Sequence, residues 1–219
     1  MKLKSMDDAA ARNMPGIKDV FTIKTLEADY ERNGFDTNTF PELVVVVGNT
    51  TWEVMQAKKA LVVEWEEASK LESSADHEAT LAELVSKATK EAARKDGDPE
   101  AAFKNAAKVV ERTFSAPFLA HNTMEPMNFF AHVTADKAEL VGPVQTPEFM
   151  ERSVAERLGM SLEQVDIQMT RMGGGFGRRL YGHFLTEAAV ISQQIQAPVK
   201  LVYSREDDMT FGTYRPSYQ

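Results

Sequence analysis

The strongest chemical signal in the sequence is Gly173-Gly174-Gly175-Phe176-Gly177-Arg178-Arg179. It follows a segment that alternates like a strand, Val165 to Thr170, and precedes one that repeats like a helix. Glycines there permit close approach of a ligand and backbone angles closed to other residues. Successive amide groups at a helix start can bind an anion. Arg178 and Arg179 would add charge-assisted donors. The run is neither a dinucleotide fingerprint nor a Walker loop, because its glycines are adjacent and no Gly-Lys-Ser/Thr follows. Pattern alone leaves two readings open: a cradle for an anionic or oxygen-rich ligand, or a tight turn packed against a helix.

The second candidate is His121-Asn122-Thr123-Met124-Glu125-Pro126-Met127-Asn128. A histidine and a carboxylate in such a loop can position a substrate or brace the loop by internal hydrogen bonds. Gln145, a lone amide after Gly142-Pro143, reads as a turn hydrogen bond. The histidines 77, 121, 132 and 183 form no H-E-x-x-H pair, and no cysteine can join them. Ser115 and Ser204 lack a nucleophile-elbow setting. Asp207-Asp208 reads as a solvated turn ahead of a magnesium pair.

These residues need a scaffold, and 219 residues are enough for one large domain or two small ones. An apolar content of 43% excludes wholesale disorder. A formal charge of -8 with no basic stripe argues against nucleic acid as a partner. The longest apolar run, Leu43 to Val47, has strand length and is too short for a membrane span. The opening MKLKSMDDAA lacks the apolar core of a signal peptide.

The pattern predicts an α+β fold. Expected strands are Val20 to Ile23, Leu43 to Val47 (covered on both faces), Leu61 to Trp65, Lys108 to Phe114, Phe129 to Val133, Ala138 to Val141, Val165 to Thr170 and Val199 to Tyr203. Expected helices run from a Thr50/Glu53 capping box to Ala60, over 76–95, over 99–107, from Pro147 to Leu158 behind a Thr146 cap, and from Tyr181 to Gln196. Residues 27–41 read as a loop.

Four ordered segments then carry a resemblance: AHNTMEPMN at 120–128, Gly142 to Pro147, MGGGFGRR at 172–179 and SREDDMTFGTYRP at 204–216. They resemble the molybdenum-binding subunit of the xanthine oxidase/aldehyde oxidase family, particularly its isoquinoline 1-oxidoreductase-like beta branch. Asp7 to Val20, Val44 to Val47 and TWEVMQAKKALVVEWE resemble that family's small α/β-hammerhead domain. The resemblance implies a clipped hammerhead over residues 1–110 and the first portion of the molybdenum cofactor-binding domain over 111–219.

It also implies a molybdenum-pyranopterin cofactor, in cytosine dinucleotide form, and oxidation of an aldehyde or N-heterocycle with water as oxygen donor. Gln145 resembles the glutamine that bonds the molybdenum-oxo ligand. Gly174, Gly175, Phe176 and Gly177 resemble the loop against the metal centre, with Phe176 also bordering the substrate. Arg178 is the side-chain donor expected to contact the cofactor region, and Arg215 resembles an arginine in the family's R-x-P or R-H-P context, with a structural or cofactor-proximal role. His121 and Glu125 match bracing residues. Leu180 replaces the glutamate with which purine oxidases read their heterocycle, so purines are not the expected substrate.

The family's catalytic glutamate and most pterin-binding loops match nothing in this sequence. The chain is therefore expected to be a fragment without turnover, holding cofactor weakly or not at all and prone to self-association. The expected partners of the parent enzyme are an iron-sulfur subunit and a cytochrome, with a periplasmic setting as one option. The competing readings are a small-ligand or anion-binding module and a subunit-assembly module.

Overall fold

The computed structural model describes residues 1–24, 42–67, 72–87, 94 and 96–219. The expected loop at 27–41, and residues 88–93 and 95 of the expected helix over 76–95, lie outside them. Contacts divide the chain into two compact units, residues 1–70 with 120–213 and residues 71–119 with 214–219.

The first unit begins with strand β1 (Lys2–Asp7), a short helix α1 (Ala9–Arg12) and strand β2 (Ile17–Lys24). Strand β3 (Glu42–Gly48), helix α2 (Thr51–Ala60) and strand β4 (Val62–Glu66) follow. The Thr50/Glu53 capping box forms in both directions and fixes where α2 starts. The strands flanking α2 do not pair with each other. β3 runs antiparallel to β2, and β4 runs antiparallel to β1.

The valine run of β3 is covered on two sides by period-2 alternation. Val44 and Val46 pack with Val20, Ala11 and Ala57. Leu43, Val45 and Val47 pack against the larger core. Each β3 residue nonetheless keeps intermediate exposure, and Leu43 to Val46 line a cavity beside the strand.

The rest of this unit is a four-stranded sheet with strands β5 (Asn128–Val133), β6 (Ala138–Gly142), β7 (Val165–Met169) and β8 (Val199–Val202). Their order is β7-β6-β5-β8. The expected hairpin of β5 and β6 forms across residues 134–137. β6 and β7 are parallel, so the chain must cross over between them, and helix α5 (Pro147–Leu158) does so. Gly159 ends α5 in a left-handed conformation, φ 69°. Thr146 precedes α5 without a side-chain cap bond. Helix α6 (His183–Ile195) packs on the sheet, and the short helix α7 (Arg205–Thr210) closes the unit behind a Ser204/Asp207 capping box.

The core holds Met127, Phe129, Leu140, Val144, Phe184 and Leu185 with almost no exposure. Each large apolar side chain buried this way contributes about 1.5–3 kcal/mol.

In the second unit are helices α3 (Ser74–Ser86) and α4 (Pro99–Asn105). The apolar side expected on α3 exists, but Leu84 and Val85 remain exposed. The strand expected over Lys108 to Phe114 does not form. Its alternation is imperfect, and no described strand lies alongside to take its hydrogen bonds. Nearby order comes from single bridges, Ala116 with Tyr218 and Leu119 with Arg215.

Candidate functional site

The first unit brings the glycine loop, Gln145 and the 121–128 loop together. β7 delivers the chain to the glycines, and α6 begins just beyond a 3-10 turn at Arg178–Leu180. Gly174 has φ 102° and Gly177 φ 92°, angles that a side chain would strain. Phe176 adopts φ 53° despite its side chain and stays exposed. Such a left-handed residue stores about 1–2 kcal/mol, so its surroundings must hold it in place.

Gln145 is one holder. Its main-chain N–H donates to Arg179 O at 3.0 Å. Its side-chain Oε1 accepts from the N–H groups of Gly177, 3.1 Å, and Arg179, 3.3 Å. A Cβ on Gly175 would stand 2.7 Å from that same oxygen, so only glycine lets the carboxamide sit there. With Oε1 taken as acceptor, Nε2 is left as donor and has no hydrogen-bond partner among the described residues.

Arg179 is the second holder, and its side chain is fully buried. Nε donates to Gly174 O at 2.8 Å, and Nη1 donates to Pro143 O at 3.3 Å. Nη2 donates to Glu125 O at 2.8 Å and Glu125 Oε2 at 3.1 Å. One guanidinium thus ties three loops through their carbonyls. Glu125 completes the brace, because Oε2 accepts from Gly173 N–H at 2.7 Å and Oε1 from Asn128 Nδ2 at 2.8 Å. Burial pushes the Glu125 pKa up. The two hydrogen bonds and the charges of Arg179 and Lys200 outweigh it, so the net shift is downward.

Arg178 turns the other way. Its buried side chain donates from Nη2 to Phe211 O at 2.6 Å. Nη1 lies 3.1 Å from His183 Nε2. A guanidinium only donates, so that ring nitrogen accepts and the proton sits on Nδ1. Burial, aided by the Arg178 charge, holds the imidazole down at about 3. Asp208 reads from sequence as part of a solvated turn, but it is buried. Its Oδ2 accepts from Arg205 Nη1 at 2.9 Å, and Oδ1 lies 4.0 Å from Arg178 Nη2. Arg205 also donates to Thr123 O and Met124 O, both at 2.8 Å.

Among the expected site residues, Gln145, Gly174, Gly175, Phe176 and Gly177 therefore meet in one place. Arg178 lies under the loop with its guanidinium turned into the fold. Arg215 belongs to the second unit, where its main chain exchanges hydrogen bonds with Leu119, N–H to O 2.8 Å and O from N–H 3.3 Å. Sequence reasoning missed Arg179 as the central brace. A second arginine directly after a glycine loop was the available signal, but it reads equally as a ligand donor. Among the described residues no group of three or more metal-ligating side chains occurs, and no helix is long and apolar enough to cross a membrane.

Comparison with known proteins gives this geometry a setting. The family model of the molybdopterin cofactor-binding domain matches residues 82–219, more than half of the chain. The membrane-bound aldehyde dehydrogenase (pyrroloquinoline-quinone) of Gluconacetobacter polyoxogenes is 28% identical over all of the chain and 27% of its own length. The isoquinoline 1-oxidoreductase subunit beta of Brevundimonas diminuta is 28% identical over 98% of the chain and 27% of its own length. Among solved structures, the aldehyde oxidoreductase of Desulfovibrio gigas aligns with 98% of the chain and 27% of its own, with TM-score 0.61 and 20% identity, a likeness of fold. The chain thus spans about a quarter of the length of these relatives.

Proposed function

The chain belongs to the molybdopterin cofactor-binding domain family, and on that premise we propose that it forms the part of a molybdenum hydroxylase large subunit that presents the Gln145 carboxamide to the cofactor. The observation that carries this reading is the carboxamide itself. Two main-chain N–H groups fix its oxygen, so the N–H pair of Nε2 is aimed before any ligand arrives. A cofactor rich in oxygen fits a donor held in that way. Gly174, Gly175 and Gly177 keep the surface beside it free of side chains, and Phe176 offers an apolar ring at its edge.

When bound, a molybdenum-pyranopterin supplies oxidation of an aldehyde or N-heterocycle with water as the oxygen source. This chain contributes orientation and a fixed donor. Arg178 acts in this reading as a positioning residue beneath the loop, and Arg215 has a structural role at its bridge with Leu119. The division into a hammerhead portion over 1–110 and a cofactor portion over 111–219 belongs to the same proposal. So do the cytosine dinucleotide form, an iron-sulfur partner subunit, a cytochrome acceptor and a periplasmic setting for the parent enzyme.

The test is nuclear magnetic resonance of the isotope-labelled chain, titrated with pterin-molybdenum cofactor released from a molybdenum hydroxylase. Weak binding, with Kd on the order of 0.1–1 mM, is expected of a partial site. The Gln145 side-chain amide and the amides of residues 174–177 should shift together, and Gln145→Leu should remove the response. Shifts confined to other residues, or none up to about 1 mM, would overturn the assignment. The quinone named for the Gluconacetobacter relative serves as the competing ligand in a parallel titration.

A further inference from the structure

A cavity of about 520 Å³ opens within the first unit, beside β3. Leu43, Val45, Val63 and Leu201 are among its walls, so its lining is chiefly apolar. Two buried polar groups interrupt that lining. Glu187 on α6 and Tyr203 just after β8 both face it and are bonded to each other, Tyr203 O–H to Glu187 Oε2 at 2.6 Å. The other carboxyl oxygen, Oε1, takes no hydrogen bond among the described residues. Lys58 and Asp207 also line the cavity, but they neutralise each other at 2.5 Å and are part exposed.

We propose that this cavity binds a small neutral molecule with an apolar body and a carbonyl oxygen, and that Glu187 Oε1 donates the hydrogen bond that orients it. The volume admits a two-ring compound. The apolar lining selects against ions. Oε2 is occupied as an acceptor from Tyr203, so a proton on this carboxyl resides on Oε1, the other oxygen of a side chain that lines the cavity.

The charged surroundings of Glu187 are consistent with a protonated acid. Burial is the largest influence on its pKa, which rises on balance to about 8. The Tyr203 hydrogen bond and the Arg178 charge oppose the rise, and Asp207 adds to it. Lys58 is tied to Asp207 and Ser204. On its own helix, His183 is neutral. No step of the proposed cofactor site uses any of these groups except Arg178, which lies beneath that site.

The test uses the 219-residue chain and the neutral fluorescent ketone 6-propionyl-2-(dimethylamino)naphthalene, whose emission moves to the blue in apolar surroundings. The expected result is saturable binding near pH 7 that weakens about 30-fold near pH 9.5, as the acid ionises. Glu187→Gln keeps a donor and cannot ionise, so it should bind with nearly equal affinity at both pH values. Val45→Trp fills the cavity and should abolish binding while circular dichroism shows a folded chain. If Val45→Trp does not fold, the Glu187→Gln comparison decides alone. No saturable binding near pH 7, tighter binding at high pH, or an undiminished pH dependence in Glu187→Gln overturns the proposal.

Discussion

Removing the Arg179 guanidinium should unfasten the glycine loop and cost a large share of the stability of the first unit. The side chain is fully buried and makes four hydrogen bonds, to Gly174 O, Pro143 O, Glu125 O and Glu125 Oε2. Arg179→Met leaves the Gly174 and Pro143 carbonyls without their donor, leaves Glu125 O with the Thr123 hydroxyl alone, and takes from a part-buried carboxylate its ion-pair partner. Breaking a buried pair by deleting one partner costs about 3–5 kcal/mol. Arg179→Lys keeps the charge, but one ammonium cannot reach acceptors on three separate loops. With about half of the hydrogen bonds lost, at roughly 1.5 kcal/mol each for a charged donor, the lysine variant should lose about 3 kcal/mol. Urea unfolding followed by circular dichroism measures both losses. Hydrogen exchange of the Gly173 and Gly177 amides, whose acceptors are Glu125 Oε2 and Gln145 Oε1, localises them. A methionine variant within about 1 kcal/mol of the parent chain, with those amides still protected, would refute the bracing role.

Three further outcomes follow from the same geometry. Glu187 holds its proton up to about pH 8 when folded but releases it near 4.3 when unfolded, so stability should fall by roughly 1.5–2 kcal/mol between pH 6.5 and 8; Glu187→Gln should flatten that decline, and an unchanged slope in denaturant titrations would rule the assignment out. His183 acts with the opposite sign. It stays neutral down to about 3 when folded and takes up a proton near 6.5 when unfolded, so its contribution rises with pH across that window, at up to about 1.4 kcal/mol per unit; a His183→Phe variant should lose that slope in the same titrations. Gly175→Ala should push the Gln145 carboxamide aside and cost about 1–3 kcal/mol, read as a lower thermal midpoint and a moved Gln145 side-chain resonance; an unshifted resonance would count against the contact.

Much of the scaffold was legible because its signals are local. The Thr50/Glu53 box sets the start of α2, and Gly159 sets the end of α5. A continuous apolar run marks β3, and two short segments either side of a polar turn mark β5 and β6, because those strands have apolar cores to face. Lys108 to Phe114 shows the limit, since a pattern becomes a strand only beside a partner. β1 shows the reverse. Its mixed residues carry little strand signal, yet it pairs with β4 from Asp7 to Lys2.

The candidate site was legible only in part, since Arg215 belongs to the second unit and Arg178 turns into the fold. The order of the motifs brought Gln145 and the glycines forward together, and the structure joins them through Oε1. Residue type alone could not tell that Arg178 and Arg179 point inward, because burial is set by elements distant in sequence. Glu187 was equally hidden, as a glutamate in a helix ordinarily reads as a solvated position.

A guanidinium that grips main-chain carbonyls is indifferent to the side chains those carbonyls belong to. Arg179 reads only the carbonyls of Gly174, Pro143 and Glu125 and one carboxylate, and Arg205 holds the carbonyl of Met124, a residue that is 87% exposed. The shape of this surface is thereby uncoupled from its composition. Met124, and the exposed Met172 beside Gly173, can be exchanged for residues of other size or polarity while the frame beneath them stays as it is. A scaffold built in this way lets an exposed face drift from one chemistry to another without being refolded at each step.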